Sequence, residues 1–159
     1  MNIEMPAIEA ADALADLWVD LAAEQRQYGS KLKAGANRDQ IRESLLRAIV
    51  TDGCYVARTE AEDDFEIDAD EILGFVMFGV DAQTFETTIT RGTIQNLYVR
   101  PDYRNEGIGS KLLDAATANL ADRNIEAVKL EVMVGNEAAE RFYRRHGFDP
   151  HRIQLTKRV

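Results

Sequence analysis

The chain has 159 residues, 45% of them hydrophobic and 30% charged, and a formal net charge of −9. That composition supports one well-filled core and excludes a disordered chain. The surplus of carboxylates argues against broad nucleic-acid binding, because phosphates would be repelled.

No apolar run approaches the roughly 18 residues that a membrane helix needs. Met1–Ala15 carries Glu4, Glu9 and Asp12 and no basic residue, unlike a secretory leader. The single cysteine, Cys54, allows no intramolecular disulfide and reads as a small buried hydrophobe. A cytoplasmic location fits. The cations are 14 Arg against 5 Lys. Acidic, lysine-poor surfaces suit concentrated salt, where charge keeps chains soluble; a halophilic source and an ordinary acidic protein both fit this balance.

In chain order, Met1–Met5 is a candidate first strand in which Ile3 and Met5 alternate. Pro6 to Tyr28 reads as helix, with Ile8, Ala11, Leu14, Leu17, Trp18, Leu21 and Ala22 at helical spacing and Gly29 as its stop. Asn37 suits the N-cap of a second helix, with Gln40 as capping-box partner and Ile41, Leu45, Ala48 and Ile49 on its apolar face. Asp52-Gly53 turns the chain into a strand near Tyr55–Arg58. Thr59–Glu71 holds eight acidic residues and no basic one; it reads as a solvated loop, or as a lure for a cationic substrate.

Ile72–Val80, Phe85–Thr90 and Gly92–Val99 read as strands, with Gly74 and Gly79 as bends or bulges. A helix over Gly107–Arg123, a strand over Ala127–Val134, a helix over Glu137–His146 and a last strand near Arg152–Lys157 complete the chain. This order predicts an α/β fold: one domain over residues 1–159, a mixed sheet with helices on both faces.

The most informative stretch runs from Val99 to Leu113. A strand stops at Pro101, a polar turn follows, and Gly107 and Gly109 open a helix. Glycines there let backbone N–H groups approach a ligand, and the helix start adds unpaired donors and a positive dipole end. That is a place for a phosphate or pyrophosphate, with Arg104 as a charged fork at its mouth. The Walker A pattern fails because Gly109 is followed by Ser-Lys, and the dinucleotide fingerprint fails because position 112 is Leu. What remains is Arg-x-x-Gly-x-Gly between a strand and a helix. Downstream, Asn136 to Phe148 reads Asn-x-x-Ala-x-x-Phe-Tyr-x-x-x-Gly-Phe, a short helix stopped by Gly147.

With these two motifs in this order, the region from Gly92 to Phe148 resembles the GCN5-related N-acetyltransferases. The resemblance implies a mostly antiparallel twisted sheet flanked by helices, whose splayed strands form an acetyl-CoA cleft. Acetyl-CoA would be the cosubstrate, with its pyrophosphate on Arg104, Asn105, Glu106, Gly107, Ile108, Gly109 and Ser110. Backbone groups of Leu97 and Val99 would hold the acetyl carbonyl and the pantetheine arm like an added strand. Asn136 would hold the cofactor's amide chain, Ala139 would leave room for it, and Phe142 belongs to the same cofactor-binding set.

Amine acetylation needs a deprotonated amine, donors for the oxyanion and a proton for the leaving thiolate. Tyr143 matches the family tyrosine that faces the thioester sulfur and would serve as general acid. Glu131, twelve residues before it on a strand, matches the spacing of a Glu in the family's ribosomal-protein acetyltransferases and is the candidate base. Thr93 and Gln95, where other members place a base, are poor bases. His146 reads as a partner of its helix's C-terminal dipole, and no His/Cys/Asp cluster suggests a metal.

The expected activity is acetyl transfer to a primary amine, small or peptidic, by direct attack in a ternary complex. Nucleic acid and membrane are not expected as partners; a homodimer is open. The alternatives are a catalytically weak acyl-CoA-binding sensor of the same fold and an unrelated phosphate-ligand protein.

Overall fold

The computed structural model describes residues 1–61, 70–82 and 85–159. Five strands form one sheet in the order β1-β2-β3-β4-β5, with β1 at Asn2–Glu4, β2 at Cys54–Arg58, β3 at Ile72–Val80, β4 at Arg91–Val99 and β5 at Ala127–Lys129. The first four pair antiparallel with their neighbours, and β5 joins β4 in parallel. Four α-helices flank the sheet: α1 at Ala11–Gln25, α2 at Arg38–Val50, α3 at Ile108–Asp122 and α4 at Glu137–Arg145. This is the mixed, mostly antiparallel sheet between helices that the sequence predicts.

Period-2 burial divides the core by sheet face. Val56, Phe75, Met77 and Tyr98 pack with Leu14, Trp18, Ile41 and Leu45 of α1 and α2. Val76, Phe78 and Ile94 pack with Ile108, Leu112, Ala116 and Leu120 of α3. β3 is buried from Ile72 to Phe78 because both of its faces are covered. Trp18 fixes α1 to the sheet: its Nε1 donates to Asn96 Oδ1 at 3.2 Å. Among the described residues, no helix is long and apolar enough to cross a membrane.

Several local expectations change. Residues 85–90 form no strand, only bends at 85, 88 and 89. Asn37 does not cap α2 through its side chain, which instead donates from Nδ2 to the carbonyl of Lys33. Two register shifts interrupt the ladders: one beside Gly74, where Leu73 is skipped between the pairs Ala57–Gly74 and Arg58–Ile72, and one not at Gly79 but between Met77 and Phe78, where Gln95 of β4 is skipped. Gly74 is small for another reason: a Cβ there would lie 2.5 Å from the Tyr98 carbonyl oxygen. The predicted strand over Ala127–Val134 is laddered only to Lys129, and residues 152–157 pair with nothing among the described residues. Of the acidic stretch, residues 62–69 lie outside the described residues.

Candidate active site

The site starts where two parallel strands part. β5 pairs with β4 at Arg91–Ala127, Gly92–Val128 and Thr93–Lys129, and there the ladder ends. β4 then passes Gln95, the bulge residue, and continues along β3 to Val99. A bulge bends its strand and strengthens its twist, so β4 turns away from the chain at residues 130–134. The space between them is the candidate cleft.

The backbone of β4 faces this cleft at alternate residues. Arg100 N donates to the Leu73 carbonyl on the β3 side. Antiparallel ladders alternate the direction of both backbone groups, so Tyr98 also turns to β3, while Leu97 and Val99 turn to the open side. These are the two residues expected to hold an extended arm. The Val99 carbonyl already accepts from Arg104 Nε at 2.8 Å.

At the cleft's end the chain makes a short 3₁₀ turn over Pro101–Tyr103 and enters α3 through a loop with two left-handed residues, Asn105 at φ 65° and Gly107 at φ 78°. No side chain caps α3. The amides of its first turn therefore point out of the helix without intrahelical acceptors, the arrangement that takes an anion. Gly107 has nothing within 4 Å of where a Cβ would stand, so space lies open before those amides. Gly109 is different: a Cβ would lie 3.4 and 3.6 Å from the Phe142 ring, so this glycine also sets how closely α3 meets α4.

Arg104 is placed otherwise than as a free fork. Its Nη2 lies 2.8 Å and 3.0 Å from the two oxygens of Glu24 at the end of α1. Its guanidinium also sits 5.5 Å from the centre of the Tyr98 ring. Glu24 belongs to a row at Asp12, Asp16, Asp20 and Glu24, an i, i+4 stripe along α1 that is legible in the sequence. Asp12 and Asp16 pair with Arg42 and Arg38 of α2. Asp16 and Asp20 line a hollow of about 400 Å³ with Tyr98, Arg100 and Asp102.

The second wall carries α4. Asn136 caps it, its Oδ1 accepting from Ala139 N at 3.2 Å. Phe142 and Tyr143 lean onto the α3-side core, their rings 5.1 Å apart edge to face. Tyr143 also meets Phe148 at 5.9 Å. Burial pushes the Tyr143 phenol up to about 12, so it is neutral and holds its proton at physiological pH. His146 Nδ1 lies 2.9 Å from the Phe142 carbonyl, the end-of-helix contact expected for it. Leu130 packs with the α3-side cluster. Its neighbour Glu131, two residues past the end of β5, is exposed.

Sequence reasoning missed Asp81. It follows β3, accepts from Thr93 Oγ1 and holds Lys129 Nζ at 3.2 Å. No local pattern marks it, because its partners come from two other strands.

An acyl-CoA fits what is present: an uncapped helix start for the pyrophosphate, an open strand edge for the arm and a neutral phenol beside the cleft. Comparison with known proteins agrees. The model of the acetyltransferase (GNAT) family matches residues 18–148. Among curated relatives, N-alpha-acetyltransferase 30 of Schizosaccharomyces pombe is 37% identical over 82 residues, 52% of this chain and 53% of that protein. The [ribosomal protein bS18]-alanine N-acetyltransferase of Escherichia coli is 32% identical over 69 residues, 43% of this chain and 47% of that protein. The chain thus spans about half the length of the curated relatives it matches. Among solved structures, a GCN5-related N-acetyltransferase from Ralstonia eutropha JMP134 superposes with a TM-score of 0.73 at 23% identity, over 99% of this chain and 97% of that one. A NatC complex bound to Gag peptide and CoA has a chain that superposes at 0.72 with 19% identity, over 95% of this chain and 86% of its own; both show a shared fold. The matched model spans most of the chain, both motifs lie within or at the ends of it, and the chain belongs to the acetyltransferase (GNAT) family.

Proposed function

We propose that this protein transfers an acetyl group from acetyl-CoA to a primary amine, by direct attack of the amine in a ternary complex. The observation that carries this reading is the parting of β4 and β5 after Thr93–Lys129, with the uncapped start of α3 at one end and Tyr143 on the flanking helix. Acetyl-CoA supplies an activated acyl group on a thiol leaving group. Everything else falls to the chain.

The amides of Ile108, Gly109 and Ser110 bind the pyrophosphate, with Asn105, Glu106 and Gly107 shaping the loop that presents them. Leu97 and Val99 orient the pantetheine arm through their backbone groups, as in strand addition. Asn136 and Ala139 line its other side, and Phe142 packs behind. Glu131, exposed just past β5, takes the proton of the incoming ammonium through water. The amine nitrogen then bonds to the acyl carbon as the C–S bond breaks, Tyr143 gives its proton to the departing sulfur, and the second proton of the nitrogen returns through water to the Tyr143 oxygen. A phenol pushed up to about 12 is a weaker acid than a thiol, which ordinarily titrates near about 8.5, so its proton reaches sulfur only as it is replaced from the acylated nitrogen, itself a strong acid.

Two acceptor types among the relatives' names are a protein residue, as with the bS18-alanine enzyme, and amino-acid analogues, as with the L-methionine sulfoximine/L-methionine sulfone acetyltransferase of Pseudomonas aeruginosa, 34% identical over 82 residues, 51% of this chain and 46% of that protein. Both are amines beside a carbonyl or carboxyl group. The test is a panel of peptides, amino acids and polyamines with acetyl-CoA, read as thiol release. Amine-dependent release supports acetyl transfer. Tight acetyl-CoA binding with no release on any amine would leave a catalytically weak acyl-CoA-binding protein.

A further inference from the structure

A hollow of about 500 Å³ lies where the last turn of α2, the end of β3 and the end of α3 meet. Its charged lining is two arginines, Arg47 of α2 and Arg123, the residue after α3. Among the described residues no Asp or Glu lines it, although the chain has 28 of them. Arg47 Nη2 donates to Ser44 Oγ at 3.1 Å, and Arg123 Nη2 donates to the carbonyls of Thr51 and Asp52 at 3.3 and 2.8 Å. Neither guanidinium forms an ion pair among the described residues, whereas Arg38, Arg42, Arg58, Arg100 and Arg104 all do. A guanidinium carries several N–H donors, so each keeps donors for an anion.

Both arginines stand at helix C-termini, where a cation is favourable. That accounts for a cation at each place, but not for two of them sharing a hollow without a carboxylate. Gln95 lines the same hollow. It is exposed, it is skipped by the β3 ladder, and it stands two positions before Leu97, about 7 Å along the strand. The hollow thus adjoins the stretch of β4 whose backbone turns to the open edge. Ala48 and Met77 line it as well and give a carbon skeleton apolar atoms to meet.

We propose that this hollow holds the acceptor and that Arg47 and Arg123 bind a carboxylate on it, so that the acceptor is a free amino acid. The proposal rests on acetyl transfer as the activity and names the class of amine. A guanidinium fork matches a carboxylate in shape and charge. With its acid group held in the hollow, a short amino acid extends its amine past Gln95 toward Leu97. Net charge selects further. At −9 the protein repels a plain anion, but an amino acid carries its own ammonium and has no net charge. A polyamine meets the opposite conflict, since the two guanidinium groups repel it. The N-terminal residue of a peptide has its carboxyl group tied up in an amide and offers the arginines no charge.

Thiol release from acetyl-CoA tests this, with the common L-amino acids as probes, each beside its own carboxamide, and with polyamines and free-N-terminal peptides in the same panel. At least one amino acid should be acetylated with a kcat/KM about 10-fold or more above that of its carboxamide, the factor that a charge-assisted hydrogen bond carries. The carboxamide has the less basic amine and starts with the advantage at neutral pH, so the preference cannot come from deprotonation. Arg47→Glu should bring the ratio to about one or below, chiefly through KM for the acid, and Arg47→Lys, which keeps the charge, should retain part of it. Arg47 is exposed, so the circular-dichroism spectrum and the CoA affinity by calorimetry should match the wild type and separate a lost carboxylate partner from a lost fold. Equal use of acid and carboxamide overturns the proposal, as does a preference that survives Arg47→Glu. Turnover confined to polyamines or peptides overturns it too and leaves acetyl transfer standing. Tight acetyl-CoA binding with no release on any amine removes acetyl transfer itself, and this proposal with it.

Discussion

Thr93 and Lys129 are the last paired residues before β4 and β5 part, and both side chains end on the carboxylate of Asp81. One residue thus ties the two walls of the cleft at its apex. Burial alone would raise the Asp81 carboxyl, but the bonds from Thr93 and Lys129 and the charge of Arg91 outweigh it and hold the group below its ordinary value. A depressed carboxylate contributes stability above its unfolded value of about 3.9 and loses it as pH falls through the folded one.

Asp81→Asn keeps the shape and removes the charge. Its partners are partly solvated, so the cost should be about 1 kcal/mol, or about 2–4 °C in Tm. The loss of stability below about pH 4 should become shallower than in the wild type. The KM for acetyl-CoA should rise by up to about 5-fold, the factor that ~1 kcal/mol carries, with less change in kcat. Thermal melts across pH and steady-state kinetics check both. An unchanged acid limb would remove Asp81 from the apex.

Tyr143→Phe keeps the ring contacts to Phe142 and Phe148 and removes only the proton. It should lower kcat by ~10²-fold and leave CoA affinity within a factor of about two. Because the phenol is pushed up to about 12, Tyr143 should put no basic limb in the kcat profile below about pH 11. Its contribution to stability runs the same way, full below about pH 10 and lost as pH rises toward 12. Glu131→Gln should lower kcat by ~10²-fold with CoA affinity nearly unchanged. A kcat equal to wild type in the Phe variant would reduce Tyr143 to a packing residue.

The two loop glycines should behave differently. Gly109→Val presses on the Phe142 ring, so it should weaken CoA binding several-fold and lower Tm together. Gly107→Ala meets no neighbour and is strained by its φ of 78°, about 1 kcal/mol of stability. Calorimetry with CoA beside thermal melts separates them. Wild-type affinity in Gly109→Val would mean that the pyrophosphate lies elsewhere.

Arg104 cannot face an anion while it serves Glu24. Glu24→Gln should release it and tighten CoA by between about 1.5- and 5-fold, the range of a partly exposed pair. It should also steepen the salt dependence of binding, because one more cation then meets phosphate. Weaker binding in this variant would instead make the Glu24–Arg104 pair a brace that holds the loop.

Local signals make much of the fold legible in the sequence. The spacing of Leu14, Leu17 and Trp18 marks α1, and Asn136 with Gly147 bounds α4 within a residue or two. The cofactor loop is legible because proline, two glycines and a helix start are chemically unusual together. Asp81 is not, since its meaning lies in Thr93 and Lys129, twelve and forty-eight positions away. The run from Ala127 to Val134 alternates as a strand should, yet it is laddered only to Lys129, because the bulge at Gln95 takes β4 away from it. Ile153 and Leu155 alternate as truly, but among the described residues no strand lies beside them to pair with.

The central claim is that acetyl-CoA lies between β4 and residues 130–136 with its pyrophosphate on the start of α3. Amide chemical shifts of the labelled protein during a CoA titration test it most directly. The account predicts saturable shifts at Leu97, Val99, Asn105 to Ser110 and Asn136, with the indole of Trp18, on the opposite sheet face, unmoved. Shifts that leave Gly107 to Ser110 untouched and gather instead at the hollow of about 500 Å³ between Arg47, Gln95 and Arg123 would contradict it.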